Sequence, residues 1–376
     1  MLSVLSTVAQ QSFNSSSKSL SSPIVDENGN VTFSIYAPNA QNVSVFGDFS
    51  GSPATLVSDT TGLWSVTLSD VAPEYYIYQF NIDGLKIADP SNPYTKRDIS
   101  TTWSTLMVPG DVTENYQVKD IPHGSVTHVW YDSPSVDSRR RMAVYTPAGY
   151  SDNSEPYPVL YLLHGMGGDE EAWLALGRTQ QIMDNLIAQQ LVTPMIVVMP
   201  NGNIDLEAAP GETSEGFVKP TIQLPHTMEG TYEHSFTDIV SFVDSVYNTI
   251  PSKNGRAVAG LSMGGFNSLN ISALYPDMFD YVGLFSAAIN PRANASDALF
   301  ADREKLLARQ FETAPKLYWI GIGKDDFLYD DNVKFRNLLD SNGYKYVYHE
   351  SDGGHSWKNW RKYLQLFAPL LFRAGS

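Results

Sequence analysis

Residues 256–270 read RAVAGLSMGGFNSLN, and this stretch decides the fold. Arg256 to Leu261 is an apolar run of strand length, and Met263 to Tyr275 has the pattern of a helix. Between them stands Ser262, with Gly260 before it and Gly264 and Gly265 after it. A serine at a sharp strand-to-helix junction needs neighbours without side chains. Strand and helix can then approach closely and the hydroxyl projects from the turn. A bare G-x-S-x-G pattern also describes an ordinary glycine-rich turn. A catalytic reading therefore requires a base, an acid and an oxyanion hole elsewhere in the chain.

Working outward, strands and helices alternate. YPVLYLLHG, MIVVMPNG, YVGLFSAAI, KLYWIGIG and KYVYHES read as strands, and RRMAVYTPAG precedes them. Helical patterns fall at about 169–190, 233–250, 263–275, 331–341 and 358–372. Continuous apolar strands predict a mostly parallel sheet covered by helices on both faces. Ligands in such sheets bind at the carboxyl ends of the strands.

That edge supplies the remaining chemistry. A serine hydroxyl is a poor nucleophile until a base removes its proton. His355 lies in SDGGHSW, a loop that leaves one strand and precedes the last helix. The base needs an acid to fix its tautomer. GIGKDDFLYDDN follows another strand end and offers Asp326, with Asp325 as the neighbouring alternative. Four aspartates in that segment also raise a metal site, but their spacing fits no known loop. An oxyanion hole needs two backbone N–H groups. Met263 directly follows the serine, and the loop in YLLHGMGGDEEAW supplies Met166, or Gly165, as the second donor. His164 reads as a structural residue of that loop. The chain order Ser262, Asp326, His355 is that of the α/β-hydrolase fold.

Upstream the pattern changes. VTFSIYAP, NVSVFGDF, GLWSVTLSD and YYIYQFNIDG are short β-rich runs between turn residues, as in a small all-β, immunoglobulin-like sandwich. The organisation read from sequence is therefore a serine-rich segment 1–22, a sandwich 23–108, a linker 109–125 and an α/β-hydrolase domain 126–376. The first residues, LSVLSTVAQ, read as a signal-peptide remnant or as a chance likeness to one. The net charge of −16 over 376 residues argues against nucleic acid and against anionic membrane surfaces. With no cysteine there is no disulfide, thiolate metal site or cysteine nucleophile.

LLHGMGG, GRTQQIMDNLIA, PMIVVMPNG, GLSMGG, GKDDFLY and GGHSWKNWRKYLQLFAPLLF together resemble carbohydrate esterase family 1, over about residues 116–373. This esterase D-like group contains bacterial feruloyl and acetylxylan esterases. The resemblance implies Ser262 as nucleophile, His355 as base and Asp326 as acid, with no cofactor or metal. Residues 28–100 resemble carbohydrate-binding module family 48. Two tryptophans that stack sugars in its glucan binders are replaced here by Ser52 and Lys86. The module is expected to brace the esterase or to bind xylan by another surface. Tyr76, Tyr78 and Phe80 share one face of a strand and read as core.

The pairing of module and esterase resembles xylan-active feruloyl esterases, secreted or periplasmic in bacteria. The expected substrates are feruloylated or acetylated xylan and its oligosaccharides, through an acyl-enzyme. Acetylxylan esterase is the nearest rival. An enterochelin-type siderophore esterase would want a basic cluster near the site, and a non-catalytic carbohydrate binder would lack a triad member. The insertion NGNIDLEAAPGETSEGFVKPTIQLPHTMEG, 201–230, reads as a lid or acyl-pocket wall, or as a surface loop.

Overall fold

The computed structural model describes residues 20–151, 155–222, 224–292 and 295–373. The signal-like residues and most of the 1–22 segment lie outside the described residues. Ser22 itself is buried, and its hydroxyl accepts the Ser34 N–H at 3.1 Å.

The chain divides into two compact units. The first comprises residues up to 72, with 76–95 and 103–108; the second comprises 73–75, 96–102 and everything from 109 onward. The 109–125 segment is therefore packed chain rather than a free linker. Its Tyr116 is fully buried, and Arg178 donates to the Tyr116 carbonyl at 2.6 and 3.0 Å.

The first unit is a sandwich of two antiparallel sheets. Val31–Tyr36 and Leu63–Leu68 pair in one; Val43–Gly47 and Glu74–Ile82 pair in the other. Strand alternation sends Val31, Phe33, Val43, Val45, Tyr76, Tyr78 and Phe80 into one core. Tyr76, Tyr78 and Phe80 are thus core residues and not a sugar platform. The Trp64 indole packs half-buried against the same core and donates to the Ala37 carbonyl at 2.9 Å. Ser52 and Lys86 are exposed.

The second unit is built on eight strands: β1 (Ser125–Ser133), β2 (Ser138–Thr146), β3 (Val159–Leu163), β4 (Ile196–Pro200), β5 (Arg256–Leu261), β6 (Tyr281–Phe285), β7 (Leu317–Gly323) and β8 (Val347–Ser351). Their order in the sheet is β1-β2-β4-β3-β5-β6-β7-β8, and β3 through β8 run parallel. Only β1 and β2 join antiparallel. The crossovers carry helices α1 (Thr179–Ala188), α2 (Thr231–Val246), α3 (Met263–Leu274), α4 (Arg303–Glu312) and α5 (Tyr329–Ser341), and α6 (Trp357–Phe367) follows β8. All residues of β3, β4, β5 and β6 are buried. That is why these strands read as unbroken apolar runs. β5 lies in the middle of the sheet, so whatever follows Leu261 stands at the centre of its carboxyl edge.

Candidate active site

β5 ends at Leu261 and α3 begins at Met263, so Ser262 takes the whole reversal in one residue, at φ 54° and ψ −114°. Residues other than glycine seldom adopt this geometry, and it persists only where surrounding structure enforces it. Three backbone hydrogen bonds do so. The Ser262 N–H donates to the Phe285 carbonyl at 2.9 Å, and the Ser262 carbonyl accepts from Phe266 and Ala288, both at 3.0 Å. The flanking glycines serve close approach. A Cβ on Gly264 would stand 2.3 Å from the Leu163 oxygen, and one on Gly260 would stand 2.5 Å from the Gly264 backbone.

β7 and β8 deliver the next two groups to the same edge. His355 Nδ1 lies 3.1 and 3.0 Å from the two carboxylate oxygens of Asp326. Asp326 is 4% exposed and also accepts the Leu328 N–H at 3.0 Å. Burial pushes this carboxyl up, but the bonds from His355 and Leu328 outweigh it and hold the group below the usual carboxylate range. Asp326 therefore stays ionised and keeps the proton of a neutral His355 on Nδ1, which leaves Nε2 to act as a base. Asp325 is exposed. Asp331 engages Lys334 and Asn290, and among the described residues no carboxylate or histidine group is clustered to hold a metal.

Ser262 and His355 face one cavity of about 520 Å³. Among the described residues no hydrogen bond joins them. Catalytic hydrogen bonds are commonly loose before substrate binds. The cavity wall is mostly apolar, with Met228, Ile222, Ala288, Phe327, Trp357 and Trp360 among its residues. Its carboxylate and guanidinium members are Asp98 and Arg292.

Met166 lines the cavity and Met263 opens α3 beside it. Neither N–H donates to another group among the described residues, so both remain available to an oxyanion. His164 shapes the Met166 loop. Its Nε2 accepts the Gly202 N–H at 2.8 Å, so Nδ1 carries the proton and donates to the Gly165 carbonyl at 2.7 Å. The 201–230 insertion places Ile222 and Met228 in the cavity wall. Its described residues form no helix or strand, only an isolated bridge between Thr213 and Gly216.

Two cavity residues escape a reading of the sequence. Arg292 follows β6 at the carboxyl edge, where position alone could have flagged it. Asp98 comes from the 96–102 segment, which sequence places in the sandwich.

A parallel-rich sheet of this order, with a serine in a strained turn after β5, an acid after β7 and a histidine after β8, defines an α/β-hydrolase, a fold that hosts many ester hydrolases. The chain belongs to the Esterase family, whose model matches residues 133–369. Residues 21–95 match carbohydrate-binding module 48, the isoamylase N-terminal domain. An endo-1,4-β-xylanase/feruloyl esterase of Xylanibacter ruminicola is 30% identical over 93% of this chain. The chain spans only 46% of that relative's length. A solved ferulic acid esterase is 28% identical, covers 66% of this chain and 98% of its own, and superposes with a TM-score of 0.54. The enterobactin esterase of Shigella flexneri is 17% identical, covers 91% of this chain and 92% of its own, and has a TM-score of 0.66. That last likeness is one of fold.

Proposed function

We propose that this protein is an exported serine esterase that releases ferulate from arabinoxylan. The carrying observation is the cavity itself. It joins Ser262 to a histidine held by a buried carboxylate, and its largely apolar volume of about 520 Å³ suits an aromatic acyl group. An acetyl group would leave most of that apolar wall without contact. The names of the xylanase/feruloyl esterase relative and of the solved ferulic acid esterase support the same reading.

In this mechanism Ser262 Oγ attacks the ester carbonyl carbon while His355 Nε2 takes its proton. The oxyanion is held by the Met263 and Met166 N–H groups. Collapse breaks the bond to the sugar oxygen, and His355 gives that oxygen the proton. Water, deprotonated by His355, then attacks the feruloyl-Ser262 ester. Ferulate leaves and Ser262 recovers its proton.

A substrate panel tests the proposal: methyl ferulate, acetylated xylan and a siderophore lactone. Ferulate release should dominate, and Ser262→Ala should lower it by about 10⁴-fold or more. Strong deacetylation of xylan without ferulate release would overturn the assignment of the acyl group.

A further inference from the structure

The cavity has two ends with different chemistry. Near the two oxyanion donors, Met228, Met263 and Phe266 form a buried apolar cluster, with Met166, Ala288 and Phe300 packed on it. This is the end suited to an acyl group. The alcohol half must lie on the side of His355, because His355 hands its proton to the departing oxygen. From His355 a run of rings follows, with Trp357 half-exposed and Trp360 and Trp173 buried. Trp360 sits 4.9 Å from the imidazole, Trp357 5.1 Å from Trp360, and Trp173 5.4 Å from Trp357. Ala172, the neighbour of Trp173, lines the catalytic cavity and also a second cavity of about 250 Å³ with several charged residues in its wall.

Asp98, Ile99 and Gly168 are likewise shared by the two cavities, so the two adjoin along these residues. The second cavity adds Arg97, Asp169, Glu171 and Glu212. These four are already engaged: Arg97 pairs with Asp169, and Arg141 holds Glu171 at 2.9 Å and Glu212 at 3.2 Å. Asp98 differs. Among the described residues no side chain donates a hydrogen bond to its half-buried carboxylate. Burial pushes this carboxyl up, outweighing the nearby Arg97 guanidinium and the Ile99 N–H, which favour its charge. Its position is nevertheless fixed. Arg97 reaches back to the Ile99 carbonyl at 2.9 Å, and Ile99, at φ 51°, packs against Gly167 in the oxyanion loop.

We propose that Asp98 is a specificity residue for the alcohol half of the ester: its carboxylate accepts hydrogen bonds from the ring hydroxyls of a neutral sugar that lies along the Trp357 wall, while the remaining glycan extends into the Arg97–Glu212 cavity. A carboxylate is an acceptor with several open sites and suits a polyol. The flat tryptophan faces suit the apolar side of a sugar ring. The same carboxylate disfavours an anionic alcohol half. This inference rests on the feruloyl esterase reading.

The test compares kcat/KM of the full chain and of Asp98→Asn and Asp98→Ala on two substrates. One is methyl ferulate, and the other is a feruloyl-arabinosyl xylo-oligosaccharide. The wild type should prefer the oligosaccharide. Asp98→Ala should lose at least about 10-fold more on the oligosaccharide than on methyl ferulate, mainly through KM, as expected for a lost charged hydrogen bond. Asp98→Asn, nearly isosteric, should lose less. Equal losses on both substrates, or no loss on the oligosaccharide, overturn the sugar subsite. Wild-type enzyme that cleaves neither ester overturns the feruloyl reading instead, and the subsite with it.

Discussion

Asp325 and Asp326 are adjacent and chemically identical, yet only Asp326 is buried against His355. If Asp326 fixes the imidazole tautomer, Asp326→Asn should lower kcat on methyl ferulate by about 10³- to 10⁴-fold. Asp325→Asn should stay within about threefold. Comparable losses in both variants would remove Asp326 from the role of acid. Neutral and mildly acidic pH leave Asp326 ionised, because its carboxyl lies below the usual range. Any loss of activity there must come from another group. The serine and the aspartate were legible in the sequence because each sits in a short turn after an apolar strand, and the histidine because it stands in a glycine-rich loop between β8 and the last helix. The choice between the two aspartates was not settled by spacing, since one residue of register turns a side chain from the site to solvent. Asp98 was hidden for a different reason: its segment is remote in sequence from every motif that marks the site.

Among the elements, α4 shows where pattern reading fails. Only Leu307 and Gln310 of Arg303–Glu312 are buried, so no broad apolar stripe marks this helix. The 201–230 insertion was equally opaque, because two well-placed side chains in an irregular segment leave no period to detect. α2 was legible as a helix but carries an unexpected buried carboxyl group. Glu233, in its first turn, is 0% exposed, and neither carboxylate oxygen has a hydrogen-bond partner among the described residues. A helix N-terminus favours a carboxylate, but burial dominates and pushes this carboxyl up to about 7. The unfolded chain releases that proton near the ordinary value of 4.5. Between these two values the unfolded state binds fewer protons, so stability falls as pH rises through the window. The full penalty, on the order of 3 kcal/mol, applies above it. Glu233→Gln should therefore raise the urea midpoint at pH 8 and change it little at pH 4.5. An equal shift at both pH values would show that its effect is one of packing and not of ionisation.

At the scale of the whole molecule, residues 73–75 and 96–102 belong to the second unit although sequence assigns them to the sandwich. The alternation of YYIYQFNI describes a sandwich strand well, and nothing in it shows that Glu74, just before, has another partner. Glu74 is 1% exposed and accepts from Arg361 on α6 at 3.0 Å. Arg361, also 1% exposed, donates further to the Tyr75 carbonyl at 2.7 Å and to the Leu176 carbonyl at 2.8 Å. Breaking a buried ion pair leaves an uncompensated charge, which costs about 3–5 kcal/mol. Glu74→Ala should lower stability in urea by that amount, and Glu74→Gln by less, because it keeps an acceptor for the guanidinium. A fragment of residues 110–376 loses Glu74 and Tyr75 together with Asp98 and Ile99 of the cavity wall. It should melt at least as early as Glu74→Ala. It should also lose preference for glycosyl over methyl ferulate, a defect that Glu74→Ala in the full chain should not share. If the fragment melts with the full chain and keeps its substrate preference, these segments contribute neither to the stability of the second unit nor to its cavity.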